Sequence, residues 1–146
     1  MIRMNRTYDR LKEVFRQDSG YKAFFISMLT FALAYGMYKG VIDNYLAEVV
    51  SMSGWDKGVS EFFREMPGLA LVFVLAALYT MSAERIYRIG AVIMLIGLAA
   101  QSLVPADKVL VILCIFIFSL GDHIQLGMRN TLTLQYSKEG RGGEAL

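Results

Sequence analysis

Two stretches of 18 residues without a charge, 66–83 and 89–106, are separated by only five residues, Glu84-Arg85-Ile86-Tyr87-Arg88. About 18 to 20 apolar residues, rising about 1.5 Å each in a helix, cross the roughly 30 Å hydrocarbon core of a bilayer. Lipid offers the backbone no hydrogen bonds, so such a stretch must satisfy its own as a helix. The pattern predicts two membrane-spanning helices joined by a short charged hinge. Composition agrees. The chain is 55% hydrophobic, with a mean hydropathy of +0.44. Soluble domains lie near 45–50% apolar, and here the excess sits in long runs rather than short stripes.

Two more apolar segments flank this pair. The first, residues 23–38, is uncharged but only 16 residues long. Continued to about residue 49, it brings Lys39, Asp43 and Asn44 into or near the membrane. Lys39 and Asp43 are four apart and share a helix face. Either they meet a cavity or a partner, or Lys39 reaches the outer surface and Asp43 is already in water. Gly36 and Gly40 form G-x-x-x-G, a spacing that lets helices approach closely. The last segment begins at Val109. Its purely apolar part, residues 109–120, is too short to cross, so the span must take in Asp122 and His123 and end near Arg129. Asp122, Gln125 and Arg129 fall at i, i+3 and i+7 on one face, with His123 beside it. Ionisable groups at that depth are costly and mark candidate solute or proton paths. His123 is the only histidine, the side chain that titrates nearest neutral pH.

The connecting stretches are read more simply. Residues 1–20 form a basic lead, with Met4, Tyr8, Leu11 and Phe15 on one stripe and Arg3, Arg6, Arg10, Lys12 and Arg16 around it. It is taken as a cytoplasmic lead rather than a cleaved signal peptide, because the basic stretch is too long and Ala32-Leu33-Ala34 lies inside the apolar run. Residues 50–58 form an outer loop with Trp55 at the interface and Asp56 capping the second helix. Glu61, Arg64 and Glu65 are read as the solvated start of that helix, with the outer mouth of a pathway as the alternative, and Pro67 as a kink. Gly90 and Gly97 offer a close packing surface. The lone Cys114 is read as packing.

The fold class expected is all-α and polytopic, with four transmembrane helices at about residues 21–49, 59–83, 87–104 and 109–130. These form a bundle over residues 21–136, followed by a cytoplasmic tail at 137–146. Lys and Arg concentrate in the lead, the hinge and the tail, which places both termini on the cytoplasmic side of the cell membrane.

The hinge also carries a resemblance. Residues 80–89, Thr-Met-Ser-Ala-Glu-Arg-Ile-Tyr-Arg-Ile, resemble the G-x-x-x-D-R-x-G-R-K pattern between the second and third helices of major facilitator superfamily transporters. Glu84, Arg85 and Arg88 are in register; both glycines and the last basic residue are replaced. The run Lys138, Gly140, Arg141, Gly142, Gly143 is similar to the segment that follows the fourth helix in that family. The resemblance implies an N-terminal four-helix portion of a six-helix half, made of inverted three-helix repeats. It implies that Glu84, Arg85 and Arg88 brace an inner gate. Lys39, Asp43, Asp122, His123 and Arg129 would face the solute path.

The function expected is secondary active transport of a small solute, with or without a coupling proton or ion. The partners expected are the lipid bilayer, the solute, and either the remaining helices of the same transporter or further copies of the chain. The alternatives are a complete small four-helix oligomeric transporter, or a membrane scaffold or assembly protein without transport. No nucleic-acid partner, cofactor or metal is expected. No nucleophile–base set or phosphate-binding loop supports an enzyme.

Overall fold

The computed structural model describes Asp9, Arg10, residues 12–15 and residues 19–146. Most of the expected amphipathic stripe of the lead (Met4, Tyr8 and Leu11, with Arg3, Arg6 and Arg16) lies outside these described residues. The architecture is all-helical. α1 covers Ser19–Asn44 and runs into a π-helical turn, Tyr45–Val49. α2 covers Gly54–Ala77, α3 Ala83–Leu103, α4 Lys108–Tyr136 and the short α5 Gly142–Ala145. Three segments are long and apolar enough to cross a membrane: Ser19–Val49, Ala83–Leu103 and Lys108–Tyr136. They mark the chain as a membrane protein.

Two helix boundaries differ from the sequence reading. The expected hinge is helical: Glu84 and Arg85 lie in the first turn of α3 and Arg88 in its second. The reversal falls earlier, over the uncharged residues 78–82. Ser82, extended at φ −68° and ψ 150°, is a favoured residue type for a helix start. Glu84 then sits where the positive end of the helix dipole favours an acid, and Arg88 Nε donates to the Glu84 carbonyl at 3.2 Å. So residues 66–83 do not form one apolar span, and α2 stops at Ala77. The same helix starts earlier than expected. Ser53, not Asp56, is its N-cap. Ser53 Oγ accepts the Asp56 N–H, and Asp56 Oδ2 accepts the Ser53 N–H at 2.8 Å, a reciprocal capping box. Trp55 and Asp56 are therefore helical. Ser51, at φ 55°, is the one non-glycine with positive φ among the described residues, and it turns the chain between α1 and α2.

The chain divides into two compact units, residues 40–129, and residues 1–39 with 130–146. In the second of these, the lead meets the end of α4. Phe15 pairs with Ser137. The Lys138 N–H donates to the Val14 carbonyl at 2.8 Å, and Lys138 Nζ donates to the Lys12 carbonyl at 2.6 Å. The rings of Phe15, Tyr21 and Phe25 cluster with centroids 4.7–5.2 Å apart, and Phe24 lies against Tyr136.

In the unit of residues 40–129, α3 and α4 pack antiparallel. α3 buries Ile86, Tyr87, Gly90, Met94, Gly97 and Gln101, one stripe at helical spacing. The approach is backbone to backbone. A Cβ on Gly97 would stand 2.5 Å from the Phe118 nitrogen, and one on Gly121 2.5 Å from the Gly90 carbonyl oxygen. Gly90 and Gly97 thus form the packing surface their spacing suggested. Gly36 and Gly40 do not: a Cβ at either would meet nothing within 4 Å. α1 instead presents Ile26, Leu29, Leu33, Met37 and Val41 exposed at three- and four-residue spacing.

A methyl at Gly97 or Gly121 forces a backbone shift, and overpacking of that kind costs about 1–3 kcal/mol. Gly97→Ala and Gly121→Ala are each expected to lower the unfolding midpoint in a detergent titration. Gly36→Ala, with open space around it, is expected to leave that midpoint unchanged or slightly raised.

Candidate functional site

Register between α2 and α4 locates the site. At the start of both helices, Lys108 Nζ meets Asp56 Oδ2 at 2.6 Å. Further along, Ser119 Oγ donates to the Arg64 carbonyl, His123 reaches Glu65 and Gly68, and a Cβ on Gly127 would touch Leu71 and Leu75 at 3.5 Å. The numbers rise together on both helices, so α2 and α4 run parallel and in contact along most of α2. Glu65 is nine residues beyond Asp56 and His123 fifteen beyond Lys108. At about 1.5 Å per residue they lie about 14 Å and about 22 Å from that end. The charged turn of α2, with Glu61 and Glu65 exposed and Arg64 half-buried, therefore packs against α4. It lies beside the middle of α4, a helix long and apolar enough to cross a membrane.

Pro67 lies inside α2 at this level. It is fully buried and lacks the N–H that would close onto the carbonyl one turn earlier, which loosens the preceding turn. In that turn the Arg64 carbonyl takes its hydrogen bond from Ser119 on α4. Next to it, Gly68 gives the imidazole room. A Cβ at Gly68 would sit 2.7 Å from His123 Nε2, so any side chain there would displace the ring.

The polar groups form a connected set. Arg64 pairs with Glu61 through Nε at 2.8 Å and Nη2, and with Glu65 through Nη2 at 2.9 Å. His123 Nδ1 lies 2.9 Å from the Ser119 carbonyl and 3.1 Å from Ser119 Oγ. Its Nε2 lies 3.7 Å from Glu65 Oε2. Ser119 is buried and the His123 side chain is 17% exposed. The Glu65 side chain is 60% exposed, so the set opens to the outside of the unit on the α2 side.

The sequence candidates fall into separate places. Only His123 joins this set. Asp122 and Arg129 are half-buried. Gln125 is buried on the opposite side of α4, where Nε2 donates to the Tyr87 carbonyl of α3 at 3.4 Å and Oε1 has no hydrogen-bond partner among the described residues. Lys39 and Asp43 are exposed, and among the described residues neither takes part in an ion pair. Asp43 offers its carbonyl to Lys57 Nζ at 3.3 Å. Glu84 is half-buried, and Arg85 and Arg88 are exposed. The sequence reading missed Ser119 and its contact with Arg64. One signal was available: Ser119 and His123 are four apart and must share a face.

Among the described residues, no group of three or more His, Cys, Asp and Glu could hold a metal ion. No protein-family model, curated protein or solved structure matches this chain.

Asp56, which fixes the register at the helix starts, is pulled from an ordinary 3.8 down to about 2, first by the Lys108 ammonium and then by the Ser53 N–H and hydroxyl. A carboxyl whose pKa is lower folded than unfolded stabilises above the unfolded value, and that stability is lost as pH falls through the folded one. Asp56→Asn is expected to unfold at a lower temperature than the parent at pH 7. The gap should narrow below pH 3.8 and close near pH 2. Thermal unfolding of both proteins in detergent at pH 7, 4 and 2 checks this.

Proposed function

We propose that this chain supplies four membrane-crossing helices (α1 to α4) of a secondary transporter of the major facilitator type, with both termini on the cytoplasmic side of the cell membrane. One observation carries the reading. Three ionisable residues of α2 lie beside the middle of α4, where Ser119 and His123 engage them. Charges at such depth are expensive and are kept where they handle ions or polar solutes. A scaffold has no use for that cost. The same observation argues that α2 crosses the membrane although its charges make it less apolar than the other three helices. It lies along α4, with Asp56 met by Lys108 of α4 and Arg64 met by Glu61 and Glu65.

The exposed faces support incompleteness. Gly36 and Gly40 have open space, and α2 exposes Leu69, Val72 and Phe73. Such faces suit further helices, either the rest of the transporter or other copies, with lipid covering what remains. In this reading Asp122 and Arg129 line the solute path, and Glu84, Arg85 and Arg88 belong to the inner gate.

Two measurements test the proposal. Single cysteines at positions 55, 79, 107 and 138, in a Cys114→Ser background, are labelled from either side of sealed cells. Residues 55 and 107 are expected outside, and 79 and 138 inside; labelling of 55 and 79 from the same side removes the four-span reading. Cells expressing the gene in its native genomic frame are then compared with cells lacking it by mass spectrometry of the medium. A solute difference that Asp122→Asn or Arg129→Ala abolishes is expected. The purified 146-residue chain in vesicles is expected to move no solute. Transport by that chain alone would favour the small oligomeric transporter, and unchanged profiles throughout would favour the scaffold.

A further inference from the structure

We infer that Nε2 of His123, facing Glu65, is a proton-binding site, and that a proton is the coupling ion of the transport proposed above. The inference rests on that reading for the word coupling; the site itself rests on hydrogen-bond geometry.

Hydrogen counting fixes the ring. Ser119 Oγ has one hydrogen, and it goes to the Arg64 carbonyl, which can only accept. Towards His123 the hydroxyl can then only accept. The Ser119 carbonyl can only accept as well. Both neighbours of Nδ1, at 3.1 and 2.9 Å, therefore require the hydrogen to be on Nδ1. A neutral imidazole has one N–H, so Nε2 is left with a lone pair. That lone pair faces the Glu65 carboxylate at 3.7 Å, and two acceptors face each other across a gap too long for a hydrogen bond. A proton added at Nε2 turns the opposition into an ion pair, which can close by roughly 1 Å to charge-assisted bonding distance.

The charges around the ring point the same way. From α2 the ring faces Glu65, itself tied to Arg64 and through it to Glu61. Those three carry one positive and two negative charges, a net −1. A proton on His123 brings the set to zero. On α4 the adjacent ionisable residue is Asp122. On its other side α4 is packed against Gly90, Met94 and Gly97 of α3, which bring no titratable group. The step balances simply: neutral imidazole plus a proton gives imidazolium paired with the existing carboxylate. A movement of α2 away from α4 would separate the pair and release the proton.

The chain's single histidine makes the test direct. The 146-residue chain, labelled only with ring-15N histidine and held in lipid nanodiscs, gives one pair of ring signals. The expected result is the Nδ1–H form at alkaline pH, with Nε2 gaining the proton on acidification. Ser119→Ala should move the neutral ring towards the Nε2–H form. Glu65→Gln removes the carboxylate that would pair with the imidazolium and should keep the ring neutral in acid that protonates the parent. An Nε2–H form in the parent, or an acid response unchanged in Glu65→Gln, overturns the site. If the site holds but uptake by the full transporter ignores an imposed pH gradient, the proton is not the coupling ion and that half of the inference falls. If the site holds and no solute moves in any cell assay, the transport reading fails while the proton site stands.

Discussion

Everything in the unit of residues 40–129 depends on how closely α3 and α4 meet. Glycine at 90, 97 and 121 lets backbone touch backbone, and in lipid, where apolar burial gives little drive, such contact is a main source of helix association. Close contact also fixes rotation. With Gly121 and Gln125 turned to α3, residues two positions away along the helix, Ser119 and His123, are carried round about 200° to the other side. That side is where α2 lies. The small residues of one interface therefore aim the polar residues of the other.

The second interface is built to different rules. α2 and α4 are joined by an ion pair at their starts, by a hydroxyl-to-carbonyl bond where Pro67 disturbs α2, and by a histidine seated on a glycine. Polar links are costly to leave unmade away from water. They specify register more sharply than leucines would, because each donor must find one acceptor. They also tie local events together. The hydroxyl that serves the Arg64 carbonyl is the same one that dictates which nitrogen of His123 carries hydrogen. A backbone carbonyl on α2 and a histidine ring on α4 thus share one hydroxyl.

Much of this was legible in the sequence, and the remainder failed for identifiable reasons. Long uncharged runs announced membrane helices, and the glycines of α3 announced close packing. The reversal was misplaced because residues 78–82 carry no Gly, Pro or charge, and Ser82 was not read as the helix start it is. Gly36 and Gly40 have the same small-residue character as Gly90 and Gly97, yet they meet open space, since spacing states what a face permits and not what occupies it. The neighbours of the charged turn of α2 could not be read because a contact between helices leaves no mark in either one alone. Nothing near Arg64 in the sequence points to Ser119, 55 residues on.

Gln125 shows how unevenly the polar residues of α4 are treated. It is buried, its amide nitrogen makes one long bond, and its oxygen has no partner among the described residues, an arrangement that costs on the order of 1–3 kcal/mol. Half a turn away, His123 has both nitrogens addressed, one by two acceptors and one by a carboxylate. The difference follows from the packing. Against α3 the glycine contacts leave no space for a second polar side chain to reach Gln125, whereas Gly68 leaves room on α2 for the His123 ring. The helix pair that meets backbone to backbone is the one least able to satisfy a polar group, and the pair with a glycine facing a ring is the one that can hold a titratable ring against a charge. Chemistry in this unit is therefore expected on the α2 side of α4, and rigidity on the α3 side.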